Sequence, residues 1–300
     1  MKTIITGATG AIGVALVKKL IADKNEVLII ARKNSKRNEN IPKSPFIKLI
    51  YASLNELRNL DVQEQGYDTF YHLAWDGTTG ADRNDLSKQC NNIQYAIDAV
   101  NLAAKLGCKT FVGVGSQAEY GRSQEILSPQ TKTNPENGYG VAKLCAGQMT
   151  ALQAAALGIR HIWVRVLSVY GPCDGPQSLV MSTIERARRG DVICCTKGEQ
   201  IWDYLFSDDA AEVLYLLGKK TEAQGIYVLG NGVGRPLSDY IKDIRNTIDS
   251  NVSIDFGAIP YAKNQVMFLK ADITKLQQDV GWTPKTEFCS GIKAILKSLQ

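Results

Sequence analysis

Through its first half the chain alternates short apolar runs with stretches of helical periodicity. The runs Lys2–Thr6, Val27–Ala31, Ile47–Tyr51, Thr69–Ala74, Thr110–Gly115 and Ile162–Ser168 predict strands. Between them, Ala11–Asp23, Asp85–Leu106 and Tyr139–Leu157 predict helices. Strand–helix–strand alternation calls for a parallel sheet with right-handed crossovers that cover both faces. The fold class expected is therefore α/β, a doubly wound parallel sheet. In such a sheet ligands bind at the carboxyl ends of the strands, where Gly7, Ala31, Ala74 and Ser116 fall.

After Gly171-Pro172 the pattern changes. Helical stretches at Ile184–Arg189, Ser207–Lys219, Ser238–Ser250 and Phe288–Leu299 mix with short strands at Val192–Cys195, Ile226–Leu229 and Val252–Phe256. This divides the chain into a parallel-sheet domain over residues 1–171 and a smaller mixed α/β lobe over residues 172–300. The lobe is expected to interleave with the first domain rather than hang from a flexible tether.

Composition narrows the functional classes. The formal charge of +5 is spread along the 300 residues without a basic block, which argues against nucleic acid and suits an anionic small molecule. No apolar stretch approaches the ~20 residues a membrane span needs. The N-terminus runs straight into the first strand, so no targeting segment is expected and the protein reads as cytoplasmic. Seven cysteines without a C-x-x-C fit a reducing compartment, with neither a disulfide framework nor a zinc site. Two histidines leave no material for a His-based triad or a His-rich metal centre; His72 and His161 read as core residues.

Two segments carry candidate chemistry. Thr6-Gly7-Ala8-Thr9-Gly10-Ala11-Ile12-Gly13 lies between the first strand and the first helix. In a Rossmann-type unit Gly7 permits the tight turn, Gly10 lets backbone approach a pyrophosphate and Gly13 lets helix pack on strand. The helix N-terminus then offers free N–H groups to the phosphates. The second segment is Tyr139-Gly140-Val141-Ala142-Lys143, which sets a phenol and an amine four residues apart on one helix face. An ammonium beside the phenol would favour the phenolate, bringing a group of reference pKa near ~10 into range for proton transfer. Tyr139 is then the general acid for a ketone or the general base for an alcohol, and Lys143 also holds the nicotinamide ribose. Ser116, at the tip of the fifth strand, supplies a hydroxyl opposite. These three are the candidate catalytic residues.

The end of the second strand bears on cofactor choice. Enzymes that use NAD place an acidic residue there for the ribose 2′-hydroxyl, whereas NADP calls for Arg. Here Ala31 is followed by Arg32-Lys33-Asn34-Ser35-Lys36-Arg37, with no acid nearby. Arg32 offers a fork of donors to a 2′-phosphate, and the same run also reads as a solvated basic loop. NADP is the expected cofactor, NAD the alternative. The loop Trp75–Gly80 follows the fourth strand and is expected to line the substrate pocket through Asp76, Gly77 and Thr78.

Taken in order along almost the whole chain, the motifs resemble the extended branch of the short-chain dehydrogenase/reductase family, the nucleotide-sugar epimerases, dehydratases and reductases. Thr6–Gly13 resembles TGxxGxxG, and His72-Leu73-Ala74-Trp75 the H-L-A-A strand end. Asn92-Ile93 resembles the Asn-Val of the fourth helix, and Gly115–Gly121 the S-S-x-x-V-Y-G segment. Arg165–Pro172 follows R-x-x-x-V-Y-G-P, Trp202-Asp203-Tyr204 through Asp208-Asp209 follows R-D-x-x-x-V-x-D, and Gly281-Trp282-Thr283-Pro284 follows G-W-x-P. The resemblance implies a Ser116–Tyr139–Lys143 triad and a nucleotide-activated sugar. It implies dinucleotide contacts from Gly7, Thr9, Gly10, Ala11, Ile12, Gly13, Arg32, Ser53, Leu54, Leu73, Ala74 and Trp75. Tyr139, Lys143, Val166, Ser168 and Val169 complete that cofactor set. For the substrate it implies Ser116, Gln117, Ser168 and Trp202 beside Asp76, Gly77 and Thr78.

Departures from the family pattern narrow the reaction. The Asp-Glu pair of sugar 4,6-dehydratases is replaced by Gln117-Ala118, and strand alternation would turn Glu119 the other way, which argues against a dehydratase. The Asn and Arg that hold the substrate diphosphate are replaced by Ser168 and Trp202, so Arg188, Arg189, Arg235 or Lys263 would have to substitute. The leading expectation is an NADP-dependent reductase of the 4-keto group of a nucleotide-linked keto-deoxysugar. The alternatives are an NAD-dependent nucleotide-sugar 4-epimerase and a non-catalytic dinucleotide sensor. Apolar residues on more than one face of the two long helices (Ile97, Val100, Leu152, Ala155) point to a homodimer.

Overall fold

The computed structural model of the protein describes all 300 residues. Its strands are β1 (Lys2–Thr6), β2 (Glu26–Ala31), β3 (Ile47–Tyr51), β4 (Thr69–His72), β5 (Thr110–Ser116), β6 (Arg160–Val166), β7 (Ser168–Tyr170), β8 (Ile193–Cys195), β9 (Ile201–Trp202), β10 (Tyr204–Phe206), β11 (Gly225–Leu229), β12 (Arg235–Pro236) and β13 (Ile254–Phe256). The helices are α1 (Ala11–Ala22), α2 (Leu86–Lys105), α3 (Gly138–Ala156), α4 (Leu179–Arg189), α5 (Ser207–Lys219), α6 (Leu237–Ile248), α7 (Thr274–Val280) and α8 (Phe288–Ser298).

Seven strands form the central sheet in the order β11-β6-β5-β4-β1-β2-β3, every pair parallel. Side-chain alternation along these strands divides the core in two. Ile5, Tyr71, Val112 and Ile162 face α1 and α5 in one apolar cluster. Their neighbours Ile4, Phe70 and Phe111 face α2 and the end of α3 in another. A sheet buried on both faces needs apolar residues at both phases, which is why its strands read as continuous runs.

The Rossmann-type parallel sheet is as expected, and the particulars differ in several places. The run read as one strand over Ile162–Ser168 is two, β6 and β7, broken at Leu167, whose N–H makes the last bond to β11, at the Leu229 carbonyl (2.9 Å), before Ser168–Tyr170 pairs with β10. The fourth strand stops at His72 rather than Ala74, so Leu73 and Ala74 are free to line the cleft. Ile226–Leu229, read among the C-terminal elements, belongs to β11 and extends the central sheet beside β6. Helix α7 carries only two buried residues, Leu276 and Val280, before Gly281 ends it with φ +68°, too short a period to stand out in the sequence. The remaining C-terminal elements α4, α6 and α8 close their own apolar clusters around Tyr170, Ile184, Phe206, Tyr240 and Ile244.

Candidate active site

A cleft of about 1130 Å³ opens along the carboxyl edge of the sheet. Its floor is the turn from Thr6 to Gly13, and Gly7, Thr9, Gly10, Ala11, Ile12 and Gly13 all line it. Gly7 has φ +79°, and a Cβ there would lie 2.6 Å from the Ala74 nitrogen, so this glycine is fixed by the turn and by the chain leaving β4. Gly10 differs: a Cβ would meet only the far end of Arg37, at 3.7 Å, so its space opens into the cleft. Gly10 also caps α1 without a side-chain acceptor, and no acidic residue stands in the first turn. The first amides of α1 are therefore left for an anion in the cleft, which is the fit a dinucleotide pyrophosphate requires.

The far walls come from other strand ends. Arg32, Ser53, Leu54, Leu73, Ala74, Trp75 and Val169 line the cleft, as do Asp76 and Thr78 from the loop after β4. Arg32 does not stand alone. Ser35, Arg37 and Asn38 line the same end, and the Asn38 side-chain amide donates to the Arg32 carbonyl at 2.8 Å. Arg37 reaches over Gly10 and donates to the Cys173 carbonyl at 2.8 Å. The segment Asp174–Ser178, which leads into α4, forms the roof. Sequence reading missed Arg37 and this roof; Arg37 lay within the basic run, but only the fold turns it back across the cradle.

Ser116, Tyr139 and Lys143 come together at the tip of β5 and the start of α3, beneath the cleft rather than on its wall. They are 8%, 8% and 3% exposed. Asn137 caps α3 by accepting from the Gly140 N–H at 2.8 Å, which fixes the turn that carries Tyr139. The expected acidification of Tyr139 by Lys143 is not what the geometry gives. Burial pushes the phenol above its usual value, opposed by the Ser116 hydroxyl and the Arg83 guanidinium and reinforced by Glu119. Lys143 donates to the Val114 carbonyl at 2.6 Å and lies 3.8 Å from the Trp75 ring centre, against 5.9 Å from that of Tyr139. Desolvation brings its own pKa down to about 7, so much of its charge is lost at neutral pH.

Glu119 is where strand alternation misled. Gln117–Glu119 is a single 3-10 turn, and the Glu119 carboxylate folds back beneath Ser116. It accepts from the Ser116 N–H at 2.8 Å, the Trp163 Nε1–H at 3.0 Å and the Arg165 Nε–H at 2.6 Å, and is wholly buried. It anchors the strand tip that carries Ser116.

The loop after β4 is held from α2. Gln89 accepts from the Trp75 Nε1–H at 2.9 Å and donates to the Gly77 and Asp82 carbonyls at 2.8 and 2.9 Å. Asn92, one turn on, accepts from the Asp76 N–H and donates to the Asp76 carbonyl. Trp75 is thereby set edge-on to Tyr139, with ring centres 6.1 Å apart. Arg83 stacks on the phenol ring at 4.3 Å. Neither Gln89 nor Arg83 belongs to a recognisable motif, although Gln89 and Asn92 share a helix face at i, i+3 spacing.

Several expected residues lie off the cleft lining. Gly77 turns away with φ +73°, Gln117 is half-buried in the 3-10 turn and Val166 is buried in β6. Trp202 donates to the Ser168 hydroxyl at 2.8 Å, so these two form a pair of their own. Of the substitutes for a diphosphate-binding Arg, Arg188 and Lys263 are exposed and Arg189 pairs with Glu185. Arg235 pairs with Asp243 beside a separate cavity of about 400 Å³. None of the four lines the main cleft. His72 bonds to Thr6 and His161 to Thr150, each at 2.9 Å; desolvation pushes their pKa values down to about 3 and about 4, so both are neutral core residues at pH 7.

A parallel sheet with a glycine cradle at its first βα turn, and a Tyr-Lys helix buried beside it, defines a Rossmann-type α/β protein of the dinucleotide-dependent class. The chain belongs to the NAD dependent epimerase/dehydratase family, whose profile matches residues 3–230; this is a family of NAD(P)-dependent enzymes that act on nucleotide sugars. It is 27% identical over 308 residues to the CDP-abequose synthase of Salmonella typhimurium, covering 99% of this chain and 97% of that protein. In fold it is similar to the UDP-N-acetylglucosamine 4-epimerase of Methanobrevibacter ruminantium in complex with UDP-N-acetylmuramic acid. The TM-score is 0.88 at 20% identity, over 99% and 98% of the two chains. The UDP-glucuronic acid 4-epimerase of Bacillus cereus in complex with NAD superposes with a TM-score of 0.86 at 20% identity, over 100% and 99%. No helix is long and apolar enough to cross a membrane.

Proposed function

We propose that this enzyme is an NADP-dependent oxidoreductase that reduces the 4-keto group of a nucleotide-linked keto-deoxysugar. The observation that carries the reading is the end of β2. No carboxylate waits there for a ribose 2′-hydroxyl, while Arg32, Ser35, Arg37 and Asn38 line that end of the cleft. Two guanidinium groups and the Ser35 hydroxyl match the charge and acceptor geometry of a 2′-phosphate, with Asn38 holding the Arg32 backbone in place. A 2′-phosphate there would compete with the Cys173 carbonyl for Arg37. NADP drawn from a common pool suits net reduction, and the relative named as a CDP-abequose synthase supports a nucleotide-linked sugar product.

With a nicotinamide dinucleotide bound over the Thr6–Gly13 turn, the hydride would come from that cofactor. The protein's own part is the proton: Tyr139 donates it to the ketone oxygen, and Ser116 fixes that oxygen with its hydroxyl. Lys143 steadies the ribose edge. The roof Asp174–Ser178 and Trp75 exclude water from the reacting carbon. Exposed apolar residues on α2 and α3 (Leu86, Val141, Met149, Leu152) support a homodimer through those helices.

The test is incubation with NADPH or NADH and a 4-keto-deoxyhexose linked to CDP, UDP or dTDP. NADPH should be consumed stoichiometrically with the alcohol formed, and NADH more slowly. The second reading, an NAD-dependent 4-epimerase, is favoured by the epimerase fold neighbours. It would replace the first if C4 epimers of a UDP-sugar interconvert with NAD and no net NADPH is lost.

A further inference from the structure

We propose that Trp75 is a positioning residue for Lys143, the face of its indole holding the lysine as an ammonium at the reacting end of the cleft. The inference rests on the reading of Lys143 as part of the proton-transfer group and names what keeps its charge in place. Trp75 stands where the H-L-A-A strand end has alanine. The Lys143 Nζ lies 3.8 Å from its ring centre, closer than to the rings of Tyr139 at 5.9 Å and Trp163 at 6.0 Å. A cation over an indole face is drawn to the ring quadrupole, most strongly where water is excluded, and Lys143 is buried. The indole is held in this pose. Its Nε1–H donates to Gln89 Oε1 at 2.9 Å, and the Gln89 amide nitrogen is bound to the Gly77 and Asp82 carbonyls, so the oxygen must face the indole. Asn92 pins the next residue, Asp76, at both its N–H and its carbonyl. The ring stands at 86° to that of Tyr139, so one indole packs against both members of the Tyr-Lys pair.

No carboxylate pairs with this ammonium. Its one hydrogen bond is to the Val114 carbonyl of β5 at 2.6 Å. From the 3-10 turn after β5, Glu119 favours the charged form but is itself bound by Arg165 and Trp163 of β6 and by the Ser116 N–H. From β4, His72 is neutral and bonded to Thr6. From α3 itself, Tyr139 presents a neutral phenol, with Arg83 of the Gly80–Asn84 turn on its ring. From the loop after β4, Asp76 is held by Asn92 through its backbone alone, and its carboxylate forms no ion pair with the amine. Desolvation brings the amine to about 7, where a modest preference for one form decides its charge. The indole face attracts the ammonium and gains nothing from the neutral amine, so it raises the charged fraction. Of the three N–H groups of an ammonium, Val114 takes one and the ring face another, which leaves one for a ribose hydroxyl.

The test reads Lys143 directly, in the full-length protein without cofactor or substrate. Lysine labelled with stable isotopes at Cε and Nζ is followed by NMR through neutral and alkaline pH, with Lys143→Met to assign the signal. Trp75→Leu keeps an apolar cover and removes the ring. It should lower the Lys143 midpoint by about one pH unit, roughly tenfold less ammonium relative to amine at a given pH. Trp75→Phe, with a weaker ring face, should lower it by less, and Asp76→Asn should leave it near the parent value. A substitution that leaves the packing intact reads the same contact. Tryptophan carrying ring fluorines, placed only at position 75, withdraws charge from the face and keeps its shape, so each added fluorine should lower the midpoint further. Coincident curves for the parent and Trp75→Leu, a midpoint that rises, one that ignores fluorination, or a larger shift in Asp76→Asn would overturn the proposal. The titration is separable from the reading beneath it. An unmoved midpoint with inactive Lys143→Met sinks only the role of Trp75; a lowered midpoint with fully active Lys143→Met sinks the catalytic reading of Lys143.

Discussion

The glycine cradle and the Ser116–Tyr139–Lys143 group lie along the same edge of one sheet and are built in opposite ways. The cradle is backbone. Its donors are the uncapped amides of α1, it contains no ionisable side chain, and Gly10 leaves its space open. The second region is side chains, buried beneath Trp75 and Arg83, with two titratable groups moved from their ordinary values by desolvation. A backbone site works wherever the turn forms, so its chemistry is decided within eight consecutive residues. A site that moves a proton depends on what encloses it, and here the enclosure comes from β5, the loop after β4, α2 and α3.

The largest separation should appear with Tyr139→Phe. General acid catalysis contributes about 10²- to 10⁴-fold, and the phenol is the only proton donor proposed at the reacting oxygen. Ketone reduction should fall by that factor while dinucleotide affinity, measured by calorimetry, stays at the parent level. A comparable drop in affinity would mean that the two regions are one site.

Next in size is the support under Ser116. Glu119→Ala removes a wholly buried carboxylate and leaves Arg165, whose side chain is 5% exposed, without its partner. Breaking such a pair costs about 3–5 kcal/mol. Urea unfolding should report a loss of that order. A loss below about 1 kcal/mol would show that water reaches Arg165 and that the strand tip is not held as described.

The contrast explains what could be read from the chain. The six predicted strands and three long helices of the first half fall where the apolar periodicity put them, within a few residues, because a sheet covered on both faces leaves little choice. The cradle was legible for the same local reason. Glu119 was not: a one-turn 3-10 helix breaks the alternation from which its direction was inferred, and its partners Trp163 and Arg165 come from β6. Arg83 was invisible because its contact with Tyr139 joins segments more than fifty residues apart and uses no motif spacing. The effect of Lys143 on the phenol was misjudged because spacing on a helix says nothing of desolvation. β11 was grouped with the C-terminal elements because a short apolar run does not name its neighbour, and only the pairing with β6 does.

The smallest effect is the sharpest test of the cradle. At Gly10 the backbone has φ −90° and ψ 172°, which any residue adopts, and an added Cβ meets only the mobile end of Arg37 at 3.7 Å. Gly10→Ala should therefore fold as well as the parent, or gain a few tenths to about 1 kcal/mol from a stiffer unfolded chain. The added methyl nevertheless occupies the space over the α1 amides where a pyrophosphate would approach. Dinucleotide affinity should fall by about tenfold, a cost of about 1.4 kcal/mol. Gly7→Ala should behave differently, losing stability before binding can be measured, since φ +79° and the Ala74 nitrogen at 2.6 Å leave no room. Thermal unfolding and calorimetry on the two variants separate a glycine required by the fold from one required by the ligand. Unchanged affinity in a well-folded Gly10→Ala would place the pyrophosphate away from this turn and remove the physical basis for reading the cleft as a dinucleotide site.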